Sequence, residues 1–198
     1  NAAPGARELV TMTKAWELGH APRWLPGRAP YDVVIVDAPA SGHGLALLRT
    51  PSTFAEIARV GPVASQARLV VATLADPGET AVVTVTTAEE TPVNETLEIE
   101  ASLRELLGHG PAVIVVNALL RDAVSGKDLA AVEAHAGPPV VTALRRRHDR
   151  SALQAAQVRR LRRGAGARVL TLPSLTAHAI GPDEVETLAA TLGRRLTG

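Results

Sequence analysis

An α/β fold with a mostly parallel sheet flanked by helices is predicted by three features of this 198-residue chain. Short apolar runs of about five residues alternate with segments of about 12 to 15 residues at helical spacing, the pattern of βαβ units. Several of those runs, such as Val-Val-Ile-Val at 33–36, are uninterrupted and β-branched, as suits a strand covered on both faces. Two of them end abruptly at a polar residue, Asp37 and Asn117, and ligands in open parallel sheets gather at the carboxyl ends of strands.

The elements follow in order. Pro4-Gly5 precedes a short helix over 7–18, and Pro22, Pro26, Gly27 and Pro30 mark the loop leading to a first strand at 33–36. Helical spacing resumes at 45–48 and 53–73, interrupted by Pro51 and Gly61-Pro62. Asp76-Pro77-Gly78 is a turn before a second strand at 81–86. A long amphipathic helix over 93–107 is closed by Gly108 and Gly110. A third strand is expected at 112–116, a helix at 125–136, a short strand at 139–143, a basic helix at 150–163 and a further strand at 168–172. The last helix, over 183–196, is expected to be capped by Asp183 with Glu186 in its first turn. The length suits a single domain over 1–198.

Composition narrows the classes. With 21 basic and 20 acidic residues, no global field argues for nucleic acid or membrane. Arg145, Arg146, Arg147, Arg150, Arg159, Arg160, Arg162 and Arg163 form a basic stretch without interleaved aromatics. It reads as a solvated helix face, and no nucleic-acid partner is expected. Zero cysteine excludes disulfides and thiolate metal sites. No apolar stretch approaches the roughly 18 to 20 residues of a membrane span, so the chain reads as soluble and cytoplasmic. Asn1-Ala2, without an initiator Met or a signal-like segment, reads as a scar on a fragment of a longer protein.

Two strand ends carry the candidate chemistry. A carboxylate at the position of Asp37 serves either to hold a Mg²⁺ shell, usually through water, or to cap the segment that follows. Behind it, residues 38–44 are small apart from Pro39 and His43, so backbone N–H groups can approach an anion and Gly42 and Gly44 let the loop change shape. Such a loop, through Ser41, Gly42 and His43, is suited to sensing a terminal phosphate; the plainer role of His43 is a loop hydrogen bond. Asn117 is an amide able to donate to and accept from a purine edge, or an anchor for its own loop. The phosphate-cradling pattern G-x-x-x-x-G-K-[ST] is absent, neither Lys14 nor Lys127 lies in a glycine-rich loop, and no G-x-G-x-x-G follows a strand.

Four ordered segments together carry a family resemblance. The stretch 33–51, VVIVDAPASGHGLALLRTP, resembles the Walker B and switch II region of the bacterial arsenite-pump ATPases and the related tail-anchored-protein-targeting ATPases. LADPGETAVVTVTTAEETPVNET at 74–96 resembles the strand and helix that follow in that family. VVNAL at 115–119 resembles its adenine-contacting segment, and VLTLPSL at 169–175 its late strand beside the base. The resemblance implies a P-loop NTPase-like, three-layer α/β/α fold whose amino-terminal P-loop unit is missing from this chain.

By position it makes Asp37 the catalytic Walker B acid and Mg²⁺ ligand, Ser41, Gly42 and His43 the switch, Asn117 the adenine reader and Pro173 a wall of the base pocket. Glu89 or Glu90 would belong to the dimer or nucleotide surroundings. Implied cofactors are ATP and Mg²⁺ in the parent protein, and implied partners are a second copy or a paralogous ATPase in a dimer. The departures are a switch opening Asp-Ala-Pro-Ala-Ser instead of Asp-Thr-Ala-Pro-Thr, Ala46 where arginine is common, and no Cys-x-x-Cys. Residues 50–74 are also short for a client-holding helical insertion. The sequence is therefore read as the carboxyl-side portion of a nucleotide-driven ATPase switch that hydrolyses ATP poorly without the P-loop and switch I. The alternative is a catalytically degenerate subunit that pairs with an active ATPase.

Overall fold

The computed structural model describes residues 5–20, 29–39, 42–58, 60–120, 125–175 and 179–197. Their elements run α1 (Ala6–His20), α2 (Gly42–Ile57), α3 (Pro62–Ala75), β1 (Val83–Thr87), α4 (Glu90–Leu107), β2 (Val113–Leu119), α5 (Gly126–Glu133), α6 (Pro138–Gly164), β3 (Arg168–Pro173) and α7 (Pro182–Thr197). Two compact units emerge, one of Asn1–Ala81 with Ala101–His109, the other of Val82–Glu100 with Gly110–Gly198.

The second unit holds the sheet. β1, β2 and β3 are parallel neighbours in that order, with Val83 opposite Val113 and Thr87 opposite Asn117 on one side of β2. On the other side Val113 lies opposite Arg168 and Val116 opposite Thr171; the register then breaks and Leu119 meets Pro173. Because side chains alternate along a strand, β2 feeds two cores. Ile114 and Val116 cluster with Val93 of α4 and with Val158 and Leu161 of α6. Val113 and Val115 cluster with Leu170 and Leu172 of β3 and with Leu192 of α7. Helices thus cover both faces, giving the three-layer α/β/α arrangement that uninterrupted strand runs predict. Ile114, Val116 and Leu161 have no exposed surface, and each such burial is worth about 1.5–3 kcal/mol.

The first unit is helical. Along α3, Ala64, Ala67, Val70 and Leu74 are buried at helical spacing, and Met12 of α1 and Leu47 and Pro51 of α2 are buried with them. Trp16 Nε1 donates to Thr73 Oγ1 at 3.1 Å, tying α1 to α3. The turn expected at residues 76–78 is present, with Gly78 N–H donating to Asp76 Oδ1 at 2.8 Å.

Three expectations need correction. Residues 33–36 form no strand and pair with none among the described residues, and Val33 and Ile35 are 74% and 88% exposed. β-Branched composition favours a strand only where a neighbour supplies the ladder. The short strand expected at 139–143 is instead the first turn of α6, because Pro138-Pro139 follows an extended Gly137 cap and proline is well placed where helix N–H groups are orphaned. The last helix starts at Pro182, with Glu184 Oε2 accepting from Gly181 N–H at 2.8 Å. This is the back-bond of a capping box set two residues earlier than the Asp183–Glu186 pair suggested.

Candidate functional site

In the sheet-bearing unit the three strands deliver their carboxyl ends to one edge, and the predicted residues of this half lie there. Asn117 is opposite Thr87 at the end of β2, and Pro173 ends β3 opposite Leu119. Glu89 follows β1, its carbonyl accepting from Val93 N–H and its carboxylate 3.9 Å from Arg150 of α6. Glu90 opens α4 as the acidic residue of its first turn, where a negative charge suits the helix dipole. Both glutamates are exposed.

The carboxyl end of β2, where its register with β3 breaks, is unusual. Ala118 has φ +56°, the only positive φ outside glycine among the described residues, and the left-handed region costs an alanine about 1–2 kcal/mol. Its N–H donates to Asn117 Oδ1 at 2.8 Å. Buried Gln154 of α6 accepts from Leu120 N–H at 3.0 Å and donates to the Ala118 carbonyl at 3.5 Å. Ser174 N–H donates to the Leu119 carbonyl at 2.6 Å. No motif pointed to Gln154; the signal was a polar residue on the stripe it shares with Val158 and Leu161 at helical spacing.

In the helical unit Asp37 lines an open groove of about 670 Å³ with Arg7 and Glu8 of α1, Pro39, and His43 and Thr50 of α2. Asp37 and His43 are both exposed. Gly42, His43 and Gly44 belong to the first turn of α2 instead of a free loop, so their backbone N–H groups are those a helix start leaves without intrahelical partners. Gly44 is needed for the local approach, since a Cβ there would stand 2.7 Å from the Pro39 carbonyl oxygen. Ser41 lies outside the described residues. The groove joins Asp37 to α1, which no sequence spacing foretold, because that proximity is made by helix packing.

Comparison with known proteins bears on this geometry. A putative ATPase of Mycobacterium bovis and the ATPase BagA of Mycobacterium tuberculosis are each 34% identical to the chain over 105 residues. A putative ATPase of another Mycobacterium tuberculosis strain matches equally. Over half its length the chain is related to actinobacterial ATPases. The match covers 52% of this chain and 30% of each relative, so the chain spans less than a third of their length. No protein-family profile matches.

Asp37 is an exposed carboxylate of the type that can take part in a magnesium shell. Mg²⁺ is commonly held by one or two carboxylates plus substrate phosphates, and the groove is lined by the carboxylates of Asp37 and Glu8. No three His, Asp or Glu side chains gather into a metal cluster among the described residues.

The arginine-rich stretch is exposed along α6. Part of it makes local contacts: Arg145 donates to Glu133 Oε1 at 2.6 Å, and Arg160 donates to Asn94 of α4. The Arg145 guanidinium holds the Glu133 carboxyl below its ordinary range, and Glu133 in turn raises Arg145. No helix among the described residues is long and apolar enough to cross a membrane.

Proposed function

We propose that this chain is the carboxyl-side portion of an ATP-binding and ATP-hydrolysing protein of the arsenite-pump-like type, acting as a nucleotide-driven switch. The observation that carries the reading is the 34% identity to mycobacterial proteins named as ATPases, in a chain whose strand ends converge on one sheet edge. Asn117 and Pro173, on adjacent strands, form the base-reading side; the Asn117 amide binds the purine and Pro173 walls the ring. Asp37 orients the water shell of Mg²⁺, and the first turn of α2 with Ser41, Gly42 and His43 couples the terminal phosphate to conformation. Glu89 and Glu90 border the nucleotide or a dimer contact with a second copy or a paralogue. Mg²⁺ supplies charge neutralisation on the phosphates when bound.

Catalytic turnover needs a phosphate grip of the G-x-x-x-x-G-K-[ST] kind, which this sequence lacks. The test is calorimetric titration of magnesium-ATP, with a non-hydrolysable analogue as control, into this chain and into a longer native polypeptide containing it. Turnover confined to the longer protein, and lowered at least 100-fold by Asp37→Asn, is the expected result. Absence of binding by both proteins would discard the ATPase reading and leave the degenerate interaction subunit.

A further inference from the structure

We propose that Gln154 is a positioning residue for base recognition, pinning the irregular carboxyl end of β2 so that Asn117 presents its amide NH₂ as a donor. The inference rests on the nucleotide reading above. Ala118 sits at φ +56°, a conformation that persists in alanine only where the surroundings over-determine it. Gln154 is the group that does so, since one buried side chain reaches both Leu120 N–H and the Ala118 carbonyl. An apolar residue at 154 would complete the stripe with Val158 and Leu161. Burying an amide is unfavourable unless it is hydrogen-bonded, and the Gln154 amide bonds to the backbone on both sides of Leu119.

The consequence falls on Asn117. With its Oδ1 already accepting from Ala118 N–H at 2.8 Å, the amide has its NH₂ left for a ligand, without a partner among the described residues. A donor fixed at a strand end fits a ring-nitrogen acceptor such as purine N7, which adenine and guanine share. Asn117 then selects purines from 7-deaza analogues and does little to separate adenine from guanine.

The test is an NMR titration of the 198-residue protein with magnesium-ATP, magnesium-GTP and magnesium-7-deaza-ATP. Amide exchange at Leu120 is read on the same samples. Wild type is expected to bind ATP and GTP within about threefold of each other and 7-deaza-ATP about 5- to 10-fold more weakly, the fold-change of one lost hydrogen bond. Gln154→Leu should bring that ratio to about 1 and speed Leu120 exchange at least tenfold while the rest of the spectrum stays native. Gln154→Glu keeps the acceptor for Leu120 N–H but loses the donor to the Ala118 carbonyl, so slow Leu120 exchange should persist while the 7-deaza ratio falls to about 1.

A Gln154→Leu protein with fast Leu120 exchange and an unchanged ratio overturns the inference, because Gln154 then holds the end of β2 without serving the base. If that variant fails to fold, Gln154→Glu decides, and an undiminished 7-deaza preference there overturns the inference. Survival of the preference in Asn117→Ala removes Asn117 as the reader and overturns it as well. If wild type binds none of the three, this inference is overturned, while the nucleotide reading stands or falls with the longer native polypeptide.

Discussion

Glu100 offers the sharpest test of how β3 is anchored. Its side chain is 2% exposed, and Oε1 accepts from the backbone N–H groups of Gly166 at 3.0 Å and Ala167 at 2.9 Å, immediately before β3. In Glu100→Ala both donors lose their acceptor. A buried donor left unsatisfied costs about 1–3 kcal/mol, and because Gly166 is exposed and Ala167 half-buried, the lower half of that range applies to each. Two donors at roughly 1.5 kcal/mol give about 3 kcal/mol in all, a large part of the 5–15 kcal/mol that typically stabilises a protein. For a chain of this size that is a fall of about 6–12 °C in Tm. Glu100→Gln keeps an amide oxygen at the same place and should lose only about 1 kcal/mol. Urea unfolding followed by far-ultraviolet circular dichroism measures both. An alanine variant within about 0.5 kcal/mol of wild type, or a glutamine variant as damaged as alanine, would refute the argument that these two hydrogen bonds hold the start of β3.

Three other substitutions probe other parts of the chain. Gly44→Ala would drive a methyl group to 2.7 Å from the Pro39 carbonyl. It should displace residues 37–39 from α2 at a net loss of about 1 kcal/mol, seen as faster proteolysis there. At the start of α5, Ser125 and Asp128 form a capping box, and the Ser125 hydroxyl and N–H hold the Asp128 carboxyl below its ordinary value of 3.8. A depressed folded pKa contributes stability that is present above the unfolded value and lost as pH falls through the folded one. NMR shifts of α5 should therefore show fraying below pH 3.8 in wild type, whereas in Ser125→Ala the fraying should already be present at neutral pH. Ile35→Lys alters a side chain that is 88% exposed. Stability should stay within about 0.5 kcal/mol, while concentration-dependent association in sedimentation velocity should fall, because an unpaired apolar segment is a template for pairing.

The sheet was legible where composition and context agreed. The run ending at Asn117 became β2 because Ile114 and Val116 face one helical layer and Val113 and Val115 the other, as an uninterrupted apolar run predicts. The run at 33–36 carries the same signal and formed no ladder, since pairing is a property of two segments and sequence shows one. Val140-Val141 misled for a local reason, with Pro138-Pro139 starting a helix that β-branched residues then continue. Among the site residues, Asn117 and Pro173 were readable as strand ends. Gln154 was not, because its importance comes from the strand end it reaches and not from any spacing around it. The grouping of Asp37 with Arg7 and Glu8 was likewise invisible, since nothing in α1 marks which face will pack toward residues 37–39.

The parallel connections of the sheet also set an order of assembly. β1 and β2 are joined through α4 alone, whereas β2 and β3 are separated by both α5 and α6, and closing a longer loop delays the contacts that reward it. On a ribosome the β1–α4–β2 unit has all its parts before Arg168 is made, and in that interval the far edge of β2, with Val113 and Val115, stands without β3 beside it. Emergence of β3 closes that edge, so the vulnerable species for misassembly during synthesis is a nascent chain ending between β2 and β3, and its lifetime is set by how quickly the roughly 50 residues from Leu119 to Arg168 are translated, at about 5–20 residues per second.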